Sequence, residues 1–380
     1  MEEAWNLRVG LVHHNLNARG GGEKVAVTVM ELLRELNYEI HLVTVSPPDW
    51  KNIEKSFGKK VYADKVYSLL PFKLRILGIY QRFLTLIPAM LLDVDLLITT
   101  HGDVLPYSLP KKNVPSIQYC YFPTVALIMK EYPSKYQKGF WRLYFEPYRV
   151  LINRLMTKAM RSATKVLTIS NFSRKAIREV FNVDAEIIYP PVDVKTFNKA
   201  YHSGDRENLV LVLGRITSEK KQDLAIKSIA KLRDVRLAIV GSVVPASVQY
   251  LNYLKLLARE LHVEDRVEFH VNAPLEKLLD VMRRAKVILH TMKGEHFGIA
   301  IVEGMSAGLI PVVWDFGGQS EFTPRKYQFH SEDEIPEKIS LALRANDEER
   351  KAVHDFAQNF DEEKFKRTFS EKILEMCPQC

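Results

Sequence analysis

Three cysteines in 380 residues exclude a disulfide scaffold and suit a reducing compartment. Two of them, Cys377 and Cys380, form a lone CxxC at the extreme C-terminus. No second pair and no nearby His completes a zinc or redox site there. Long apolar runs are also lacking. No stretch approaches the ~18 uninterrupted apolar residues of a spanning helix. The first residues, MEEAWNLRVGLVHH, are acidic and lack both a basic n-region and a long h-region, so no secretory leader is expected. The chain has no GxGxxG turn, and no acidic residue ends its second strand pattern, which disfavours a dinucleotide cofactor. Internal repeats and low-complexity tracts are absent as well.

What is present is a globular composition, 47% hydrophobic and 26% charged, in a chain long enough for two α/β domains. The net charge of +8 is unevenly placed: residues 1–190 hold 26 Lys and Arg against 17 Asp and Glu, and residues 191–380 hold 28 against 29. The basic excess therefore lies in the N-terminal half, where an anionic surface or ligand is expected.

Strand-length apolar runs alternate with amphipathic helix-length stretches. Residues 7–13, 39–45, 96–100, 116–121, 165–169 and 186–188 read as strands, and 23–36 as a helix. The alternation pauses at Tyr189-Pro-Pro-Val-Asp and stays polar through Asn208. It resumes with strands at 209–213, 236–240, 266–269, 287–290 and 310–313, and helices at 223–232, 247–261, 275–284 and 299–307. This pattern predicts two doubly wound parallel sheets with right-handed crossovers. The expected division is an N-terminal domain over 1–190, a linker over 191–207, a C-terminal domain over 208–348, and a terminal helical segment, 349–380, packing back on the N-terminal domain. Ligands of such sheets sit at the carboxyl ends of strands, so the motifs should follow strands.

They do. Gly20-Gly21-Gly22-Glu23 joins the first strand to the first helix; glycines let a ligand approach the backbone, and a helix N-terminus offers N–H groups to an anion. Gly214-Arg215-Ile216-Thr217-Ser218-Glu219-Lys220-Lys221 follows the first strand of the second domain. Arg215 and Lys220 can converge on a diphosphate, one as a fork and the other as a point charge. Gly294-Glu295-His296-Phe297-Gly298-Ile299-Ala300-Ile301-Val302-Glu303 follows strand 287–290 and runs into a helix. There the N–H groups of Phe297, Gly298 and Ile299 can hold a phosphate. Glu303 can accept both hydroxyls of a ribose and Glu295 those of a sugar. Asp93-Val-Asp95 has the D-x-D form of a metal site, but it introduces strand 96–100, where a strand-edge pair is expected, so no metal is called for.

These residues resemble a known family. Glu295 and Glu303 match the E-x7-E motif of family 4 retaining glycosyltransferases, Arg215 and Lys220 its R-x4-K, and Gly20–Gly22 its N-domain loop. The resemblance runs along nearly the whole chain and looks closest to the dolichol-pathway α-1,2-mannosyltransferases, through His13 to Lys24, His290-Thr291-Met292 to Gly298, and Gly317-Gly318. It implies the GT-B architecture, two Rossmann-like domains facing across a cleft, and transfer of a hexose, mannose favoured, without a metal or cofactor. Arg215 and Lys220 would neutralise the leaving nucleotide diphosphate, and Glu295 would orient the sugar. Gly21, Gly22, His296, Phe297, Gly298, Ile299 and Glu303 would complete the nucleotide-sugar site. GDP-mannose is the expected donor, a UDP-sugar the alternative, and a glycan or polyprenyl-linked glycan the acceptor. Many relatives carry a His where this chain has Tyr121, a poor base with an ordinary pKa of about 10. His101 and Tyr121 are the acceptor-side candidates.

Tyr67–Leu92 reads YSLLPFKLRILGIYQRFLTLIPAMLL. It is apolar but interrupted by Lys73, Arg75 and Arg82 and broken by Pro71 and Pro88, which suits a headgroup boundary. Residues 138–145 have the same mixture. A cytoplasmic protein, peripheral on the cytosolic face of an anionic membrane, is expected; nucleic acid is not an expected partner. The competing readings are a nucleotide-sugar 2-epimerase of the same architecture and a non-catalytic nucleotide-sugar-binding protein. A phosphorylase would need a pyridoxal-phosphate lysine, for which no candidate stands out.

Overall fold

The computed structural model describes residues 7–18, 20–68, 85–101, 109–124, 127 and 139–376. The chain divides into two compact units, one of residues 1–191 with 363–380, the other of 192–362.

The first unit runs β1 (Arg8–Val12), α1 (Gly21–Glu35), β2 (Glu39–Thr44), α2 (Trp50–Phe57), β3 (Lys65–Ser68), α3 (Leu86–Leu91), β4 (Leu96–His101), β5 (Ser116–Cys120), α4 (Gly139–Ser162), β6 (Lys165–Thr168), α5 (Asn171–Phe181) and β7 (Glu186–Ile187). Its sheet has the order β3-β2-β1-β4-β5-β6-β7. Each neighbouring pair is parallel. β4 and β5 are buried at every residue, as expected of strands covered on both faces.

The second unit runs α6 (Val194–Asn198), β8 (Leu209–Leu213), α7 (Gln222–Ala230), β9 (Arg236–Gly241), α8 (Val248–Glu260), β10 (Val267–Val271), α9 (Leu275–Arg284), β11 (Val287–His290), α10 (Ile299–Ser306), β12 (Ile310–Trp314), β13 (Gln328–Phe329), α11 (Ile335–Leu343) and α12 (Asp347–Ala357). Its parallel sheet has the order β10-β9-β8-β11-β12-β13. Chain order reverses between β1 and β4 in the first sheet and between β8 and β11 in the second. These are the switch points at which open α/β sheets bind ligands. Gly20–Gly22 follows β1, Gly214–Lys221 follows β8, and Gly294–Gly298 follows β11.

Two expectations about organisation need correcting. Of the stretch expected as a linker, 191–207, all but Pro191 is part of the second unit. Phe197 and Ala200 are buried in its core, and the Arg206 guanidinium donates to the carbonyls of Met282, Ala285 and Ala307. A buried Arg tying the C-terminal ends of two helices, α9 and α10, looks polar in the sequence because its acceptors are remote backbone. The helical segment over 349–375 is also two helices. α12 ends at Ala357, a short 3-10 turn covers Gln358–Phe360, and α13 (Glu362–Met376) follows. The break separates the units. α13 packs on the first, with Phe365 and Phe369 against the ring of Tyr119. Lys366 reaches Glu31 at 2.9 Å and Glu35 at 2.5 Å.

Candidate functional site

In the second unit, β11 ends at His290 and the chain crosses a loop to α10. Gly298 caps that helix at φ +104°, a backbone region that favours glycine. The loop is fixed from behind by residues 317–318. Glu295 bridges Gly317, and Gly318 N–H donates to the Glu295 carbonyl at 2.7 Å. A Cβ on Gly318 would stand 2.0 Å from the His296 carbonyl oxygen, so only glycine fits. Phe297 turns inward against Phe322 and Phe360 and is 2% exposed. Its side chain is core, and what it offers a ligand is its backbone N–H. Ile301 and Val302 N–H donate to the Gly298 carbonyl, so the N–H groups of Ile299 and Ala300 are the ones without a partner inside the helix, at the positive end of its dipole. Glu303 lies half-buried about one turn along α10.

Glu295 sits at the centre. Its Oε2 takes the Lys220 ammonium at 2.5 Å and stands 3.2 Å from His290 Nε2, while its Oε1 accepts the His296 N–H at 3.1 Å. All three side chains are mostly buried, with Lys220 20% and Glu295 17% exposed. Burial alone would raise the Glu295 carboxyl; His290 and Lys220 override it and hold it well below the usual carboxylate range. The backbone of Lys220 is pinned, since Thr291 Oγ1 donates to its carbonyl at 2.7 Å and Trp314 Nε1 donates to the Thr291 carbonyl at 2.8 Å. The structure therefore brings Lys220 and Glu295 together. It leaves Arg215 at the surface, 3.5 Å from Glu219. His290 as a member of this cluster escaped the reading from sequence; its position as the last residue of a strand beside a switch point was the available signal.

In the first unit, α1 begins at Gly21 and Glu23 reaches back to the Gly20 N–H at 3.0 Å. Its other carboxylate oxygen lies 3.9 Å from His13 Nε2. His13 Nδ1 is 2.8 Å from the Thr100 carbonyl, so it carries a proton. Tyr121 lies beneath the turn. Its hydroxyl donates to the Gly22 carbonyl at 3.0 Å, and a Cβ on Gly22 would meet its ring at 2.9 Å. Burial pushes the phenol well above its ordinary value. Tyr121 thus supports the glycine turn. His101 is 1% exposed at the end of β4, with its carbonyl accepting the Tyr121 N–H. Asp93 and Asp95 hold Arg8, Asp93 at 2.5 Å and Asp95 through the Arg8 backbone N–H at 2.9 Å, which is a strand-edge role. Lys73, Arg75, Arg82, Pro71, Lys138, Cys377 and Cys380 lie outside the described residues.

Two parallel Rossmann-like sheets with glycine loops at their switch points have the domain structure of the GT-B glycosyltransferases. Solved structures share it. The chain superposes on sucrose-phosphate synthase from Thermosynechococcus elongatus with a TM-score of 0.73, at 14% identity, over 98% of this chain and 100% of that one. It superposes on a glycosyltransferase from Rickettsia africae with a TM-score of 0.69, at 16% identity, over 98% and 99%. Family models match in both halves, "Glycosyltransferase Family 4" over 19–196 and "Glycosyl transferases group 1" over 193–362. The chain is a glycosyltransferase, with a family 4 domain in its first half and a group 1 domain in its second.

Its relatives include proteins named GDP-Man:Man(3)GlcNAc(2)-PP-Dol alpha-1,2-mannosyltransferase. The one from Neurospora crassa is 26% identical over 99% of this chain and 81% of that protein. The one from Dictyostelium discoideum is 34% identical over 40% of this chain, and the match spans a third (33%) of its length. The human one is 29% identical over 49% of this chain and 43% of its own length.

Proposed function

We propose that this chain is a retaining, metal-independent mannosyltransferase that moves mannose from GDP-mannose to a polyprenyl-linked glycan at the cytosolic face of a membrane. The observation that carries the reading is the Lys220–Glu295–His290 cluster at the second switch point, adjoining the N-terminus of α10. A diphosphate there meets the α10 N–H groups, Lys220 and the exposed guanidinium of Arg215, which together supply the charge neutralisation that a divalent ion supplies elsewhere. Glu303 takes the ribose hydroxyls and Glu295 those of the sugar. The acceptor oxygen bonds to the sugar's anomeric carbon on the face from which the nucleotide leaves. The carbon–oxygen bond to phosphate breaks, its electron pair departs with the nucleotide diphosphate, and a donor phosphate oxygen takes the acceptor proton. The names of the relatives support mannose and a lipid-linked acceptor. Gly21 and Gly22 belong to the nucleotide-sugar side, and His101 and Tyr121 to the acceptor side.

A membrane surface is supported by α4. Leu143, Pro147, Val150 and Leu151 recur at helical spacing and are exposed, and Arg154, Lys158 and Arg161 continue the same stripe. Leu143 is 75% exposed, and Phe140 just before it 72%. No helix among the described residues is long and apolar enough to cross a membrane.

The test is a panel of radiolabelled nucleotide sugars offered with the host's membrane extract, with and without EDTA. Label from GDP-mannose should enter lipid-extractable glycan with its α configuration kept, and EDTA should leave the rate largely intact. Loss restored only by magnesium or manganese refutes metal independence. Conversion of a donor without an acceptor points to the epimerase, and binding with no turnover to a sensor.

A further inference from the structure

We propose that Lys220 and Glu295 form an exchangeable ion pair that couples diphosphate recognition to sugar recognition, and that His290 is the positioning residue that keeps Glu295 in place when the pair opens. The proposal rests on the donor site described above.

The function asks Lys220 to meet phosphate and Glu295 to meet sugar hydroxyls. The structure holds the two on each other at 2.5 Å. An ammonium shared between a mostly buried carboxylate and a diphosphate is held more weakly by each, so an arriving diphosphate competes with Glu295 for Lys220. The local construction suits that exchange. The Lys220 backbone is fixed by Thr291, itself fixed by Trp314, so the change is confined to the flexible four-carbon stem of the side chain. Glu295 is fixed by its bridge to Gly317 and by the Gly318 N–H on its carbonyl.

The exchange has a consequence for specificity. A nucleotide diphosphate without a sugar draws Lys220 away and leaves a mostly buried carboxylate short of a partner, which is costly. The complete donor returns hydroxyl donors to Glu295 for the ammonium it takes. The intact substrate is therefore favoured over the leaving product. His290 decides how far this goes. Its Nε2 lies buried without a hydrogen bond among the described residues, 3.2 Å from the same Oε2 that holds Lys220, placed to take that oxygen once Lys220 turns away. His290 is 7% exposed at the end of β11, so its ring is held by the sheet and not by the ligand.

The experiment is calorimetric titration of the full-length protein with GDP, and in parallel with UDP. Glu295→Gln keeps the shape and removes the charge that holds Lys220. It should bind nucleotide diphosphate about tenfold more tightly than wild type, the size of one charge-assisted contact, while transfer is lost. In a Lys220→Ala background the same substitution should bring no gain. His290→Ala should weaken nucleotide diphosphate several-fold and raise the donor KM, His290→Gln should recover part of both, and in the Glu295→Gln background His290→Ala should have no effect. Equal or weaker binding by Glu295→Gln, a gain that survives loss of Lys220, or a His290→Ala effect of the same size in both backgrounds would overturn the exchange. A wild-type protein that binds neither nucleotide diphosphate overturns the donor-site reading itself, and the exchange with it.

Discussion

A carboxylate that is to orient a sugar has to be ionised at neutral pH, and burial opposes that. Glu295 resolves the conflict with a cation and an imidazole on one oxygen and a backbone N–H on the other. Glu295→Ala should therefore abolish transfer while nucleotide diphosphate still binds, because this side chain faces sugar and not phosphate in the proposed site. Arg215→Ala and Lys220→Ala should instead weaken nucleotide diphosphate, each by about 1.5–3 kcal/mol, the worth of a hydrogen bond to a charged group. Titration of all three variants, beside a transfer assay, checks the assignment; a Glu295→Ala loss of affinity as large as the other two would reverse the roles. At this scale the pairing of Lys220 with Glu295 in the candidate site was foreshadowed in the sequence, since both residues and the glycines follow strands. Two contacts were not legible, the support Tyr121 gives the glycine turn and the place of His290 beside Glu295, for a physical reason. Gly22, which accepts from the Tyr121 hydroxyl, is 99 residues away in sequence. His290 differs from an ordinary strand-end histidine only by what the next loop brings to it.

Elements carry the site through close backbone contact. Gly318 lets the 317–318 turn lie directly on the Glu295–Phe297 segment. Gly318→Ala forces a methyl into the His296 carbonyl. It should cost about 1–3 kcal/mol as overpacking does, lower the melting temperature by several degrees, and raise the donor KM. A destabilised variant with an unchanged donor KM would show that the turn supports the fold and not the site. A second element-scale effect lies at the sheet edge, away from the ligand. Glu268 on β10 faces Arg284 at 2.8 Å, Arg236 at 2.7 Å and His270 at 2.9 Å. Burial alone would raise its carboxyl, and these partners pull it down to about 2. A depressed carboxylate stabilises the fold above its unfolded pKa, and that contribution is lost as pH falls from about 4.5 toward 2. Wild type should therefore lose melting temperature more steeply over that window than Glu268→Gln, which starts lower at neutral pH. Parallel slopes would deny the link. The strands themselves were readable because each is a short apolar run between polar stretches, and 209–213, 275–284 and 287–290 match the observed elements residue for residue. The stretch 191–207 was misread because its anchors, a buried Arg206 and the apolar Val192, Val194, Phe197 and Ala200, are scattered among polar residues and form no periodic run.

For the whole molecule the open question is where it works. The basic excess of the N-terminal half gives direction but not location, and α4 supplies location. On its exposed stripe Leu143, Pro147, Val150 and Leu151 precede Arg154, Lys158 and Arg161, so one surface offers apolar insertion followed by cations. Phe140 and Trp141 stand exposed at its start, and such rings suit the headgroup boundary. On α3, Ile87, Met90 and Leu91 are exposed as well. Each cation near an anionic surface adds about 1 kcal/mol, and each inserted apolar side chain adds roughly 1.5–3 kcal/mol when fully buried. A few of both give reversible binding, short of the permanence of a spanning helix. Sedimentation with liposomes of graded anionic content measures this. Binding should rise with anionic lipid and fall with salt. Arg154→Gln with Lys158→Gln and Arg161→Gln should flatten the dependence on anionic lipid, whereas Phe140→Ser with Trp141→Ser and Leu143→Ser should weaken binding at every lipid composition. The two classes of variant separate attraction from insertion. Failure of the wild-type protein to bind any liposome, together with efficient transfer to a free soluble sugar, would place the enzyme in solution and leave the α4 stripe without this role.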